Sequence, residues 1–202
     1  MNIENLNRQL AWCIGAAILV SCASTPAPVL LTLPPIESVK PATGLAASTP
    51  RLLAVRRPEV PEYLLVQRVR YRSGDSTLAE WPNTYWAERL EISVARGFQD
   101  ALRQRLPGWQ ICEVNCSERS PSLVLQVKLT RLDYVRSERR LLAGARLSLW
   151  STERPPRLLH TEDHAYAIEG DEDTPQSHAR AMSVFLDRVA ADAALAVTVD
   201  RR

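Results

Sequence analysis

The side chains that could coordinate a metal ion lie in the last quarter of the chain. His160, Glu162 and His164 occupy alternate positions, so on a β-strand all three point to one face of the sheet. Imidazole and carboxylate groups are zinc ligands, but on a straight strand the two imidazoles start roughly 13 Å apart, and one ion would reach both only if the strand bent. We expect an exposed polar strand face here, with a metal or catalytic site as the alternative.

Catalytic patterns are missing from the rest of the sequence. It contains no G-x-S-x-G, no H-E-x-x-H and no phosphate-binding glycine loop. We therefore predict a protein that is not an enzyme, and we expect no cofactor and no metal. A lipid-anchored hydrolase remains an alternative, and turnover that is lost when His160 or His164 is changed to Ala would support it.

Cysteine offers a second kind of chemistry, acylation. Cys22 ends the run Leu19-Val20-Ser21-Cys22, which resembles the lipobox of bacterial lipoproteins: a leucine, a tolerant position, a small residue and the cysteine. The resemblance implies a diacylglycerol on the thiol of Cys22, cleavage of the bond before it and, in many diderm bacteria, a further acyl chain on the freed amine. One acyl chain holds a protein marginally at a bilayer, whereas two or three hold it firmly.

The residues before Cys22 fit the signal peptide that this processing requires. The apolar run from Leu10 to Val20 has the length of a signal-peptide core and is too short to span a bilayer. A buried N-terminal helix is the alternative. Ala23 rather than Asp follows the cysteine, which under the sorting rule of enteric bacteria implies transfer to the outer membrane. We predict a signal peptide at 1–21, a lipidated cysteine with a short tether at 22–28, and a folded domain at 29–199.

Cys112 and Cys116 remain once Cys13 has left with the signal peptide and Cys22 is acylated. In an exported protein an even pair of cysteines favours a disulfide. Along a straight strand their Cα atoms would lie roughly 13 Å apart, so a bridge requires the chain to turn at residues 113–115. Two free thiols, or half of a metal site, are the alternatives.

The composition predicts one folded domain. The chain has 202 residues, of which 46% are hydrophobic and 24% charged, and these values exclude a disordered chain. Its 25 Lys and Arg residues oppose 23 Asp and Glu residues. A net charge of +2 provides no long-range attraction for nucleic acid, so we expect no nucleic-acid partner.

Hydrophobic periodicity predicts the elements that hold these side chains. Apolar residues recur every four positions from Thr84 to Leu106, which predicts a helix that Pro107-Gly108 ends. Thr174 as N-cap and Pro175 at the first helical position begin a second helix. Strands are predicted at 29–33, 51–55, 66–72, 77–81, 109–114, 123–134, 143–149 and 158–168, with a bulge near residues 130–131 where the alternation slips by one. We predict a single mixed α+β (α/β) domain, in which two long amphipathic helices pack on a mixed, mostly antiparallel sheet.

Candidate binding side chains lie on the predicted strand 66–72 and at the start of the predicted helix. Arg68, Arg70 and Arg72 share one strand face, where guanidinium groups could meet phosphate head groups or an acidic partner; a solvated sheet face is the alternative. Trp86 is either a core residue or an exposed anchor for a partner. With Tyr63 these are our candidate partner-binding residues. The acidic run at 171–173 suits the positive end of the second helix.

Several segments, in a fixed order, resemble the ABC-type transport auxiliary lipoproteins, the PqiC-like family of paraquat-inducible envelope transport systems. They are the lipobox, the strand that ends at Pro34, Val60-Pro61-Glu62-Tyr63-Leu64, Arg72-Ser73-Gly74-Asp75, and Trp86-Ala87-Glu88-Arg89-Leu90. The resemblance covers nearly all of the mature chain and implies a mixed α/β sheet with helices packed on it and no catalysis. It also implies partners, namely a periplasmic MCE-domain (mammalian cell entry) protein and its inner-membrane transporter, which move lipids or other hydrophobic compounds.

From the lipobox and this resemblance we predict a homo-oligomeric lipoprotein on the periplasmic face of the outer membrane, which docks the distal end of an MCE-type assembly. The alternative is an assembly or pilot lipoprotein that escorts a secretin or a peptidoglycan-associated machine. The gene neighbourhood discriminates between them, since a transporter operon favours the first and a secretion operon the second.

Overall fold

The structure, a computed structural model, describes residues 26–36, 51–113, 116 and 120–199. The predicted signal peptide, Cys22 and the first part of the tether lie outside these residues. The described residues form eight strands and two helices, with short 3-10 turns at Glu62–Leu64 and Arg136–Glu138. The elements are β1 (Val29–Leu31), β2 (Arg51–Val55), β3 (Arg68–Arg72), β4 (Leu78–Trp86), α1 (Leu90–Arg105), β5 (Trp109–Cys112), β6 (Leu123–Val135), β7 (Arg140–Ser151), β8 (Leu158–Glu169) and α2 (Pro175–Val199).

All eight strands belong to one mixed sheet built around β6. This strand pairs along its length with β7, which pairs in turn with β8. On its other side β6 pairs with β2 near its start and with β3 at its end. Beyond these strands, β5 pairs with β2, β4 pairs with β3, and β1 pairs with β4. Four of these pairings are parallel and three antiparallel, the antiparallel ones including the long β6–β7 and β7–β8 ladders. The predicted single domain, with a mixed sheet and two helices, is confirmed.

The bulge predicted near residues 130–131 is present in β6. The register between β6 and β7 shifts between Leu129 and Arg131. Leu129 is buried before the shift, and Leu132 and Tyr134 are buried after it. The extra residue therefore keeps apolar side chains on the core face although the alternation has slipped by one position.

The first helix begins later than its periodicity predicts. The prediction that it starts at Thr84 is wrong: residues 84–86 continue β4, where they pair with β1, and the helix starts at Leu90. The β-branched and aromatic side chains there suit a sheet, and pairing with β1 outweighs the four-residue spacing. The helix ends at Arg105, ahead of Pro107 and Gly108 as predicted.

The second helix has the predicted N-terminus. Pro175 is its first residue, and the backbone N–H of Ser177 donates to Oγ1 of Thr174 at 3.2 Å. This bond satisfies one of the N–H groups that a helix start leaves without a partner. The two helices contact each other and cover the inner face of the sheet, and the rings of Phe98 and Phe185 are completely buried between the layers. The opposite, outer face of the sheet is where the candidate arginines lie.

Candidate docking surface

A buried carboxylate connects two of the candidate residues. Asp133 is only 6% exposed, and because Leu132 and Tyr134 point inward, its side chain projects from the outer face of the sheet. The hydroxyl of Tyr63 donates to Oδ1 of Asp133 at 2.9 Å, and Arg72 donates to the same oxygen at 3.0 Å. Arg131 donates to Oδ2 at 2.9 Å. Through these bonds the 3-10 turn Glu62–Leu64, which contains Tyr63, is attached to both β3 and β6.

The network holds its groups in fixed protonation states. Burial raises the pKa of Tyr63, and its hydrogen bond to Asp133 raises it further, to about 12. Burial alone would raise the pKa of Asp133, but hydrogen bonds from Arg72, Tyr63 and Arg131 bring it below its ordinary value. The hydrogen bond to Asp133 raises the pKa of Arg72. At neutral pH the phenol is therefore neutral and the carboxylate charged, which suits a binding framework better than proton transfer.

Arg68 and Arg70 share a second carboxylate, that of Glu80 on β4. Each Nε lies 3.4 Å from a different oxygen of Glu80. Arg70 also donates to the carbonyl oxygen of Tyr63 at 2.8 Å. The exposed fraction of the three β3 arginine side chains falls along the strand, from 48% at Arg68 to 29% and then 19%.

Four guanidinium groups thus share two carboxylates, which leaves a surplus of two positive charges within this cluster. We call this cluster the arginine face; it consists of Arg68, Arg70, Arg72, Glu80, Arg131 and Asp133. A surplus of one sign attracts groups of the other, and the planar guanidinium matches carboxylate and phosphate. The arginines are thus paired within the chain, and the cluster keeps an unbalanced positive charge.

Trp86 does not belong to this surface. It is 3% exposed, and its ring meets that of His178 on α2 edge to face, with centroids 6.2 Å apart. The structure therefore places Trp86 in the core, and the interpretation of Trp86 as an exposed partner-binding residue has to be corrected. The strand pleat explains the difference, since Trp86 faces inward and the preceding Tyr85 faces outward.

The histidines of β8 lie on a polar strand face that borders α2. Oε2 of Glu162 is 3.3 Å from Nε2 of His160 and 3.4 Å from Nε2 of His164. Nδ1 of His164 is 3.6 Å from Asp192, which also accepts a 2.7 Å hydrogen bond from Tyr166. Over the ranges that the structure describes, no three or more His, Cys, Asp or Glu side chains are arranged to hold a metal ion. The geometry agrees with the expected polar strand face.

The acidic run before α2 makes a specific contact as well. Arg136 donates to both carboxylate oxygens of Asp173, at 2.9 and 3.1 Å. The same guanidinium lies over the rings of Trp81 and Tyr71, 4.4 and 5.1 Å from their centroids. This contact joins the start of α2 to the turn after β6, which agrees with a structural role for the acidic run.

Sequence reasoning missed the acidic half of the arginine face. Asp133 leaves one signal in the sequence, because it is a lone carboxylate between two apolar residues directly after a predicted bulge. Glu80 leaves none, since its contact with Arg68 and Arg70 depends on the pairing of β3 with β4.

Comparison with protein families identifies the chain. The model of the family described as "ABC-type transport auxiliary lipoprotein component" matches residues 32–194, which include β2 to β8, α1 and most of α2. The chain belongs to this family. A comparison with curated proteins gives no match.

Two solved structures share the fold of this auxiliary lipoprotein. A crystal structure of an uncharacterized protein is 18% identical, with a TM-score of 0.67, and the alignment covers 85% of this chain and 99% of that one. Protein XCC0632 from Xanthomonas campestris is 17% identical, with a TM-score of 0.58, and the alignment covers 87% and 95% of the two chains. At these identities the likeness shows the fold alone.

Family membership confirms the resemblance seen in the sequence. The auxiliary lipoprotein is a component of the cell envelope that is associated with an ABC-type transport system, and the family is one of transport components, not of enzymes. Across residues 26–36, 51–113 and 120–199, no helix has the length and apolar character needed to cross a bilayer.

Cys112 and Cys116 of the auxiliary lipoprotein are joined as a disulfide, with Cα atoms 5.6 Å apart. This separation lies inside the range that a disulfide allows. Cys112 ends β5, which pairs with β2. Two positions of the predicted turn, 114 and 115, lie outside the described residues. The oxidation state of the pair in the cell stays a prediction.

Proposed function

We propose that this auxiliary lipoprotein is the outer-membrane subunit of an MCE-type system that moves lipids or other hydrophobic compounds between membranes. The observation that carries the proposal is a family match that starts at residue 32, ten residues after the cysteine of a lipobox. In this role Cys22 and its acyl chains hold the folded domain at the membrane. The domain docks the periplasmic MCE-domain protein, and ATP hydrolysis belongs to another subunit.

The membrane assignment rests on the residue after the lipid anchor. Ala23 lacks the carboxylate that retains lipoproteins in the inner membrane of enteric bacteria. Density-gradient separation of the two membranes tests this step with wild type and the Ala23→Asp variant. We expect wild type in the outer-membrane fraction and, under the enteric rule, the variant in the inner-membrane fraction. Wild type in the inner-membrane fraction would overturn the outer-membrane assignment.

In this proposal the arginine face binds an acidic surface of the MCE-domain protein. Its surplus positive charge supports this choice, and so does its rigidity, because Asp133 and Tyr63 hold Arg72 and Arg131 in place before any partner arrives. Side chains that are already ordered lose less conformational entropy on binding. Arg131 is the chosen probe, since 48% of its side chain is exposed and, unlike the equally exposed Arg68, it is bonded to Asp133.

Recovery of the partner from envelope extracts tests the docking step. An Arg131→Gln variant should bind the MCE-domain protein about three- to fivefold more weakly than wild type, and the difference should shrink at high salt. Arg103→Gln is the matched control, because Arg103 lies on α1, is 51% exposed and pairs with Asp100 at 2.7 Å. Equal losses in the two variants would remove the arginine face from the proposal. Recovery of a secretin instead of an MCE-domain protein would favour the pilot-lipoprotein alternative.

The proposed lipoprotein acts as a homo-oligomer. Native mass spectrometry of the acylated protein in detergent tests this point. We expect a single species of several copies. A monomer at all protein concentrations would contradict it.

A further inference from the structure

The edge strand β1 presents apolar side chains to both sides of the sheet. Leu30 is 61% exposed and Val29 is 40% exposed. Within the described part of the chain β1 pairs only with β4, so its other edge has no strand beside it. Proteins usually protect an open edge with charge, proline or a covering segment, and residues 29–31 carry no charge and no proline. This edge is therefore an apolar surface that something else should cover.

A row of three side chains continues from this edge across the outer face. Leu30 pairs with Tyr85 on β4, and Tyr85 pairs with Arg68 on β3, so all three project to the same side. The guanidinium of Arg68 lies 5.1 Å from the centroid of the Tyr85 ring. Apolar, aromatic and cationic groups in this order suit the bilayer interface, where leucine enters the acyl boundary, tyrosine lies among the head groups and arginine reaches phosphate.

The predicted lipid anchor precedes this edge by only a few residues in the chain. The side-chain amide of Asn83 donates to the carbonyl oxygens of Pro26 and Ala27, at 2.7 and 3.0 Å, and so fixes the start of the domain to β4. Four residue steps separate Cys22 from Pro26, a reach of at most about 14 Å, and eight steps separate Cys22 from Leu30, at most about 28 Å. A domain of this length is roughly 40 Å across. The acyl chains therefore keep the side of the domain that carries β1 near the bilayer.

We propose that the β1 edge, defined as Val29, Leu30, Arg68 and Tyr85, lies against the phospholipid head groups of the membrane that holds the Cys22 acyl chains. The inference rests on the proposed acyl anchor and adds an orientation to it. It also divides the arginine face: Arg68, which shares Glu80 with Arg70 and is the most exposed arginine on β3, faces lipid phosphate, and the other three arginines keep one positive charge in excess of the two carboxylates. Arg72 and Arg131 stay available to the protein partner.

Photo-cross-linking of the acylated, full mature protein in vesicles tests this orientation. A diazirine amino acid replaces Leu30 or, as the matched control, Leu195, which is 63% exposed on α2. The vesicles contain phosphatidylethanolamine with a smaller fraction of phosphatidylglycerol, and mass spectrometry measures the phospholipid adducts. We expect a several-fold higher yield of phospholipid adducts at position 30 than at position 195.

The intact mass of the same sample separates two kinds of failure. If Cys22 is acylated but position 30 gives no more lipid adduct than position 195, or cross-links to a second copy of the protein, the orientation is wrong and the anchor stands. If the mass shows no acyl group, the proposed anchor is wrong and the orientation falls with it.

The role of Arg68 has its own readout in this experiment. One cationic side chain near an anionic surface changes binding by about fivefold. With Arg68→Gln the enrichment of phosphatidylglycerol among the adducts at position 30 should fall by up to that factor, whereas Arg103→Gln should leave it unchanged. An unchanged enrichment in Arg68→Gln would remove Arg68 from the membrane contact.

Discussion

A single buried imidazole should make this lipoprotein lose stability in mildly acidic solution. His178 on α2 is 3% exposed, and its ring is stacked on that of Tyr134 with centroids 4.6 Å apart. Its Nδ1 has no hydrogen-bond partner among the described residues. Burial lowers the pKa of His178 from 6.5 to about 3, because a charged imidazolium would lie in the core without a counter-ion.

The sign of the effect follows from proton binding in the two states. Between pH 6.5 and about 3 the unfolded chain protonates this histidine and the folded protein does not, so stability falls as the pH falls through that window. For each pH unit below the pKa of this histidine in the unfolded chain, the free energy of unfolding falls by about 1.4 kcal/mol. At pH 5 the free energy of unfolding should therefore be about 2 kcal/mol lower than at pH 7 on account of His178 alone.

Urea unfolding at pH 7 and pH 5, followed by tryptophan fluorescence, measures this loss. In His178→Phe the ring is retained without a titrating group, so the difference between the two pH values should shrink by about 2 kcal/mol. His160→Gln is the control, since it removes a histidine whose side chain is 42% exposed on β8, and a change in the pH 7 to pH 5 difference as large as that in His178→Phe would show that the effect is not specific to the buried ring. If wild type and His178→Phe lose stability in parallel between pH 7 and pH 5, the buried imidazole is not the cause.

Three other changes test the packing and the covalent link. A Cβ atom at Gly170 would lie 2.8 to 2.9 Å from three oxygen atoms, so Gly170→Ala should lower the unfolding free energy by about 1–3 kcal/mol. Gly108→Ala is the control and should change the unfolding free energy little, because a Cβ atom there would have nothing within 4 Å. Equal effects of the two substitutions in thermal unfolding would contradict this prediction. Tyr63→Phe removes a hydrogen bond to a buried carboxylate and should lower the free energy of unfolding, measured in urea, by about 1.5–3 kcal/mol. A loss below ~0.5 kcal/mol would be evidence against the network. Protein purified from the envelope should be alkylated at Cys112 and Cys116 only after reduction, and reduction should cost about 2 kcal/mol for so short a loop; alkylation of the untreated protein would show free thiols.

The strand pattern could be predicted from the sequence because one face of the sheet is buried. Alternation in β6 places every second side chain in the core, and the slip near residue 130 predicted the bulge that the structure contains. The start of α1 could not be predicted in the same way. Trp86 fits the four-residue apolar spacing, but it lies in β4 because β1, a strand distant in sequence, pairs with residues 84–86.

The candidate surface was predictable only in part, for a related reason. The alternation of Arg68, Arg70 and Arg72 predicts a shared face, which the structure shows. Their partners depend on which strands lie beside β3, and neither Glu80 nor Asp133 is near them in the sequence in a way that spacing rules capture. Local pattern thus identified the cations, whereas the tertiary pairing that positions them had to come from the structure.

Acylation of Cys22 is the most direct measurement of the proposed membrane role. Growing cells are labelled with palmitate, and the chain is isolated and compared with a Cys22→Ser variant. We predict label on the wild-type chain only, together with loss of residues 1–21 from the mature protein. A wild-type chain that carries no label, or that keeps residues 1–21, would contradict the lipid anchor.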